Sequence, residues 1–369
     1  MKKHTLWVLF GLGLLLVPLT LFHLSCGGGG GDSGGSAETG SVALFLTDDP
    51  ADDYSHIYIT ITKVSLIPVQ ENGDGAPVVI YEFPKGYEVD LLSIRNDDHL
   101  LTVKKNIPAV LYSKVRLEIS DIRSEPKDGV VGACPSFKLA SDRIDLNPRE
   151  PFRVIPRTTL AIRLDIDANK SINVSASCVF RPVVFVDILE VAQRCPQILK
   201  GTIKSLIGSE GQTQGFILAL DHNRGELEVS LSQNPVIFDE NGDFQDGQAL
   251  KVGQEVRVRG NLNNSGVLEA SVIVIGDVID VKGVADGSVA NNIFLFTPNS
   301  EEELVGQHEV LVINGKTLIL TNCDTEVGSG EIQAGMPARI FGKLVRDNNG
   351  VDKLRAVVIL LRPAPSPPV

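Results

Sequence analysis

Ile57-Tyr58-Ile59-Thr60-Ile61-Thr62 sets an isoleucine at every second position and a polar or half-polar residue between them. A side-chain period of two belongs to an extended chain with one face buried, so this stretch predicts a half-buried β-strand. The same beat returns at Val115, Leu117 and Ile119 against Arg116, Glu118 and Ser120, and at Leu160, Ile162, Leu164 and Ile166. It recurs at Leu227, Val229 and Leu231, and at Val256 and Val258 between Arg257 and Arg259. Turn signals separate these runs: Asn72-Gly73-Asp74-Gly75, Asn241-Gly242 and Asn314-Gly315, the last reading as a two-residue hairpin between apolar runs. One short helix is expected near residues 90–105. The chain therefore reads as all-β.

An internal repeat organises the second half. Lys200-Gly201 returns as Lys282-Gly283, Gly253 as Gly335 and Gly260 as Gly342, each 82 residues on. Glycine inside a strand marks a bend or a close backbone approach. Two copies of one small β module follow, at 198–279 and 280–362, after an N-terminal β-sandwich at 41–193. The predicted architecture is that sandwich followed by two tandem small β-barrel or sandwich modules, ending in a Pro-rich disordered tail at 363–369.

The N-terminus carries a different message. Lys2, Lys3 and His4 precede an apolar run from Leu6 to Leu21, which suits an export signal and is short for a membrane span of about 20 residues. His23-Leu24-Ser25-Cys26 resembles the lipobox of bacterial lipoproteins, which implies a signal peptide at 1–25 and a lipid on Cys26. Residues 26–40, Gly- and Ser-rich, read as a flexible tether. Gly31-Asp32-Ser33-Gly34-Gly35 matches a serine-nucleophile pattern, but no strand precedes it and no helix follows to hold the hydroxyl beside a base.

Charge and composition exclude further classes. With Lys2 and Lys3 removed, the 34 basic residues fall by two against 46 acidic ones, a balance of about −14. Such a surface repels phosphate backbones, so no nucleic-acid partner is expected. The only tryptophan, Trp7, leaves with the signal.

Thr47-Asp48-Asp49-Pro50-Ala51-Asp52-Asp53-Tyr54, Val89-Asp90-Leu91-Leu92, Tyr112 through Leu117, Leu164-Asp165-Ile166-Asp167 and Arg181-Pro182-Val183 together resemble the domain of unknown function 4382, over about residues 40–192. Gly201-Thr202-Ile203 and the Val252 to Gly260 stretch resemble the domain of unknown function 5666, with residues around Gly283 to Gly342 as a more divergent second copy. The resemblance implies a bacterial envelope lipoprotein and brings neither an activity nor catalytic residues.

Asp48, Asp49, Asp52 and Asp53 crowd into six residues. They suit either a solvated turn or a calcium site, to which Asp90 or the Asp165 and Asp167 pair could add oxygens. Asp239, Asn241 and Asp243 imitate the start of a calcium loop, but Phe244 replaces the needed glycine. Calcium apart, no cofactor is expected. Four cysteines remain after Cys26, namely Cys134, Cys178, Cys195 and Cys323, as disulfide candidates or buried thiols. The extended run between Cys178 and Cys195 spans roughly 40 Å, which disfavours that pair. Cys134 with Cys178 is preferred, leaving Cys195 with Cys323 to clamp a hinge. His56, His99, His222 and His308 are scattered, and Asp165 and Asp167 read as an acidic exposed face, so no catalytic residues are assigned. The expectation is a lipid-anchored envelope protein, at the outer rather than the inner membrane, that binds or organises an envelope partner without catalysis. A calcium- or small-ligand-binding surface protein and an uncatalogued hydrolase are the alternatives.

Overall fold

The strand Thr39–Asp49 (β1) is the inner strand on which the N-terminal half is built. Its alternate residues Val42, Leu44 and Leu46 enter one apolar core while Ala43 and Phe45 enter another, and all five are fully buried. A strand covered on both faces reads as a continuous apolar run. The computed structural model describes residues 38–49, 53–94, 98–130, 133–134, 136–173, 178–191, 195–209, 211–299, 304–321, 325–347 and 349–362.

In the N-terminal domain the longer strands after β1 are β2 (Tyr54–Gln70), β3 (Val78–Asp90), β4 (His99–Pro108), β5 (Leu111–Pro126), β6 (Arg143–Leu146), β7 (Thr159–Asp167) and β8 (Val184–Glu190). One sheet runs β8-β7-β1-β4, with β1 and β7 parallel. The other centres on β2, flanked by β3 and β5, with β6 beyond β5. Ile57, Ile59 and Ile61 of β2 meet Val115, Leu117 and Ile119 of β5 and Ile162, Leu164 and Ile166 of β7 in one core, so this domain is a sandwich. The disulfide Cys134–Cys178 crosses its far end.

The first barrel comprises β9 (Gln197–Ser209), β10 (Gln212–Leu220), β11 (Glu226–Phe238), β12 (Glu255–Leu262) and β13 (Leu268–Ile275). Pairing runs β9-β10-β11-β13-β12 and back to β9, with β11 and β13 parallel. That is the connectivity of a five-stranded Greek-key barrel of the OB type. The second barrel repeats it with β14 (Ile279–Ala285), β15 (Ile293–Pro298), β16 (His308–Leu311), β17 (Leu318–Thr321), β18 (Pro337–Arg346) and β19 (Asp352–Leu361). The repeated glycines do the same work in both. A Cβ on Gly201 or Gly283 would lie 2.3 Å from a neighbouring strand's carbonyl oxygen, as it would on Gly260, and on Gly342 it would lie 2.2 Å away. Gly253 and Gly335 turn at φ +86° and +82°.

Three expectations need correction. Residues 90–105 form a 3₁₀ turn at Leu91–Ile94 and then strand β4, because Leu100 and Leu101 are buried on opposite faces of the sheet. Asn314-Gly315 closes no hairpin: β16 and β17 both run parallel to β19 as halves of the strand that is continuous in the first barrel. The sandwich begins before residue 41, since Thr39 and Gly40 already belong to β1. Gly40 is there because a Cβ would lie 2.3 Å from the Ile155 carbonyl oxygen.

Candidate functional site

The loop between β10 and β11, Asp221-His222-Asn223-Arg224-Gly225, meets a set of polar and aromatic groups of the sandwich. His222, Asn223 and Gly225 all take positive φ, at 51°, 60° and 106°, and the Leu220 N–H closes the loop on the Gly225 carbonyl at 2.9 Å. This folding turns two loop carbonyls toward the sandwich. The Tyr81 hydroxyl donates to the Asn223 carbonyl, and the Thr102 hydroxyl donates to that of Arg224 at 3.0 Å. Gly225 lets them approach, as a Cβ there would touch Tyr81 at 3.3 Å.

Arg224 enters the junction and is 3% exposed. Its Nη1 donates to the Leu100 carbonyl at 2.8 Å, its Nη2 pairs with the Asp221 carboxylate, and its guanidinium faces the Tyr87 ring at 5.5 Å. His99 Nε2 lies 3.0 Å from the Tyr87 hydroxyl and 3.4 Å from Arg224 Nη1. A guanidinium only donates, so this nitrogen is assigned as the acceptor and the ring proton to Nδ1. Burial pushes the Tyr87 phenol up, with Asp221 adding to the rise and Arg224 opposing it. The lone pair of this ring nitrogen is therefore turned toward the Tyr87 hydroxyl and the Arg224 guanidinium. The cluster's chemistry is that of a latch between sandwich and barrel. Around it, Lys105 pairs with Glu228 at 2.8 Å, the Thr159 N–H donates to the Asn264 carbonyl at 2.8 Å, and Ala43, Phe45, Leu100 and Val103 share one core with the barrel's Phe216, Leu218 and Val229.

A second polar knot joins the barrels. Asp280 accepts two hydrogen bonds from Arg339, both at 2.7 Å, and lies 3.5 Å from Arg257 Nε. Burial alone would raise the Asp280 carboxyl, but Arg339 and Arg257 outweigh it and hold the group below its ordinary range. Burial pulls Arg259 down to about 10. Apolar contacts surround the knot, among them Phe238, Val272, Phe341 and Val358. Lys282 Nζ also reaches the Ser93 carbonyl at 2.6 Å, tying the second barrel to the sandwich.

The residues singled out from sequence are mostly engaged in local structure. Asp48 is 3% exposed rather than solvated, because it shares the inward parity of Val42, Leu44 and Leu46, and it accepts from the Ala168 N–H at 3.2 Å. Asp53 is exposed, Asp49 ends β1, and Asp52, like Cys26 and Ser33, lies outside the described residues. Asp167, expected on an exposed face, is 2% exposed and caps the single helical turn Ala168–Ser171 through the Lys170 N–H. The Lys170 hydrogen bonds overcome its burial and hold this carboxyl low. Asp90 pairs with His56 at 2.8 Å and accepts from the Ile57 and Leu92 N–H groups, so its oxygens are already bonded. Asp239 accepts from the Asn241 and Asp243 N–H groups at 2.9 and 3.0 Å, which makes that loop an Asx turn. Among the described residues, no three His, Cys, Asp or Glu side chains are grouped to hold a metal ion. Cys195 is also disulfide-bonded, and Cys26 and Cys323, the cysteines left for it, lie outside the described residues.

Residues 39–182 match the family described as Domain of unknown function (DUF4382). Residues 214–274 match Domain of unknown function (DUF5666). The DUF4382 match ends inside the sandwich, before its edge strand β8, and the DUF5666 match runs from β10 to β13 of the first barrel. No curated protein and no solved structure gives a significant match. The latch joins a residue set from the DUF4382 span, Tyr81, Tyr87, His99 and Thr102, to one from the DUF5666 span, Asp221 to Gly225. Sequence periodicity could not find it, since the loop has no period. Its one cue is Asn223-Arg224-Gly225, a turn signal whose docking partner lies more than 100 residues away.

Proposed function

We propose that this chain is a lipid-anchored bacterial envelope protein, acylated on Cys26 after loss of residues 1–25, whose β domains act as a non-catalytic binding, interaction or structural unit. The second barrel is, on this reading, a second copy of the DUF5666 module. What carries the reading is the use made of the titratable and aromatic groups. Arg224 reaches His99, the Leu100 carbonyl and the Tyr87 ring across the sandwich–barrel junction, Arg257 reaches Asp280 across the junction of the barrels, and a chain that joins its domains so firmly suits presenting a fixed surface at the envelope. The paired hairpins support the second copy. Asn263 accepts from the Ser265 and Val267 N–H groups, and Asp347 accepts from those of Asn349 and Val351 in the same way.

Labelling cells with palmitate tests the anchor: the wild-type chain takes up label and Cys26→Ala does not. In-cell cross-linking of the acylated protein, followed by mass spectrometry, tests the role. Links concentrated on one domain face to a reproducible envelope component support it. Recovery of the protein alone, where other lipoproteins do link, overturns it.

A further inference from the structure

The strand β1 begins at Thr39, and exposed cations and aliphatic side chains stand around that point. The Ala109 N–H donates to the Glu38 carbonyl at 2.9 Å and the Arg157 N–H to that of Thr39 at 3.0 Å, so the entry of the chain is clasped between the turn after β4 and the segment before β7. The Val154 N–H donates to the Val110 carbonyl at 3.3 Å, which brings Val110 to the residue before Ile155. Both are open to solvent, at 40% and 54%. Arg153 stands opposite Leu111, Arg157 projects from a turn with φ +60°, and Lys104 lies opposite Val42 near the same rim. All three cations are exposed, and none makes a side-chain ion pair among the described residues. Glu38 and Glu150 are the acidic groups close by in sequence. The chain as a whole carries −12.

We infer that this end of the sandwich is a docking surface for anionic phospholipid headgroups, with Lys104, Arg153 and Arg157 meeting the phosphates and Val110 and Ile155 reaching into the interface. The inference goes beyond the anchor reading, though it draws its orientation from it. An acidic protein is repelled from an anionic bilayer unless it turns a cationic face toward it. Exposed aliphatic side chains beside cations are the composition that settles at a headgroup boundary. A lipid on Cys26, about twelve residues before Glu38, would keep this face at high local concentration against the membrane that holds it. The domain would then stand on the bilayer in one orientation.

The test uses the chain from Gly27 onward, without signal or acyl group, floated with vesicles rich in phosphatidylglycerol or made of phosphatidylcholine alone. The expected result at low salt is binding to the phosphatidylglycerol vesicles at least tenfold stronger than to phosphatidylcholine, weakening as salt is added. Arg153→Glu with Arg157→Glu lowers it on the order of 100-fold. Lys138→Glu with Arg181→Glu makes the same charge change at the opposite end of the sandwich and leaves binding unaltered. Equal binding to the two lipids, no binding to either, or an equal loss in both double variants overturns the inference. The comparison of lipids with the wild-type chain stands even if a variant fails to fold. Because this chain has no acyl group, the two readings fail separately: loss of palmitate labelling sinks the anchor alone, and charge-blind flotation sinks the docking surface alone.

Discussion

Arg224 shows how much one side chain can organise. Its backbone carbonyl receives Thr102, its guanidinium spans Leu100, Asp221 and the Tyr87 ring, and it is almost wholly buried. Removing it leaves the buried Leu100 carbonyl short of a donor and takes the main counter-charge from the half-buried Asp221 carboxylate. Arg224→Met is expected to cost about 2 to 3 kcal/mol in a urea titration, whereas Arg346→Ala, which breaks an exposed pair with Asp352, should leave the midpoint nearly where it was. Equal costs for the two would refute the latch. Sequence reading placed His99 and His222 as isolated residues because it had no means of folding residue 222 back onto residue 87, where their rings stand 5.8 Å apart. Asp48 was more legible than the reading allowed. Counting by twos from Val42 puts it inside, and only its chemistry suggested the outside.

At the level of elements, alternation identified β2, β5, β7, β11 and β12, since each has one face against a core and residues that repeat with the pleat. The same rule passes over β1, where Val42 to Leu46 has no polar residue, because both faces are covered. Asn314-Gly315 misled for a different reason. A glycine at φ +73° serves a hairpin and a break within one strand equally well, and only the parallel pairing to β19 distinguishes them. The Cys134–Cys178 bridge fastens two segments that otherwise share few strand pairs, closing a separation of 44 residues. Loop-closure entropy for that length predicts that Cys134→Ser with Cys178→Ser lowers stability by about 4 kcal/mol, readable as a fall in the denaturation midpoint. A midpoint unchanged by the double substitution would mean that the surrounding strands already hold these ends together.

For the molecule as a whole, the all-β class was legible in the strand periodicity, while the way the domains join was not. The first barrel shares its core with the outer face of the β1 sheet, whereas the second encloses Leu304, 3% exposed, from the segment before β16. Two modules with one pattern of glycines thus finish their cores differently, and nothing in the repeat announces it. The barrel junction depends on ionised Asp280. Its folded value lies below the ordinary 3.8, so its contribution is complete above that pH and is lost as the pH falls further. Asp280→Asn is expected to cost about 3 kcal/mol near neutrality, by leaving Arg339 and Arg257 without their counter-charge, and to flatten the slope of stability below pH 4. A variant with the wild-type slope would remove Asp280 from the acid response.

The parallel pairing of β1 with β7 also sets an order of events. The first strand of the sandwich finds one neighbour only when residues 99–108 exist and the other only when residues 159–167 do, with Ser41 opposite Thr159. The first barrel likewise waits for Leu268 before β11 and β13 can join. Contacts so distant in sequence make assembly slow, since long loops must close before any reward arrives. An emerging chain of this design stays loose until most of it is present, so a truncation before residue 159 would leave β1 with an open edge.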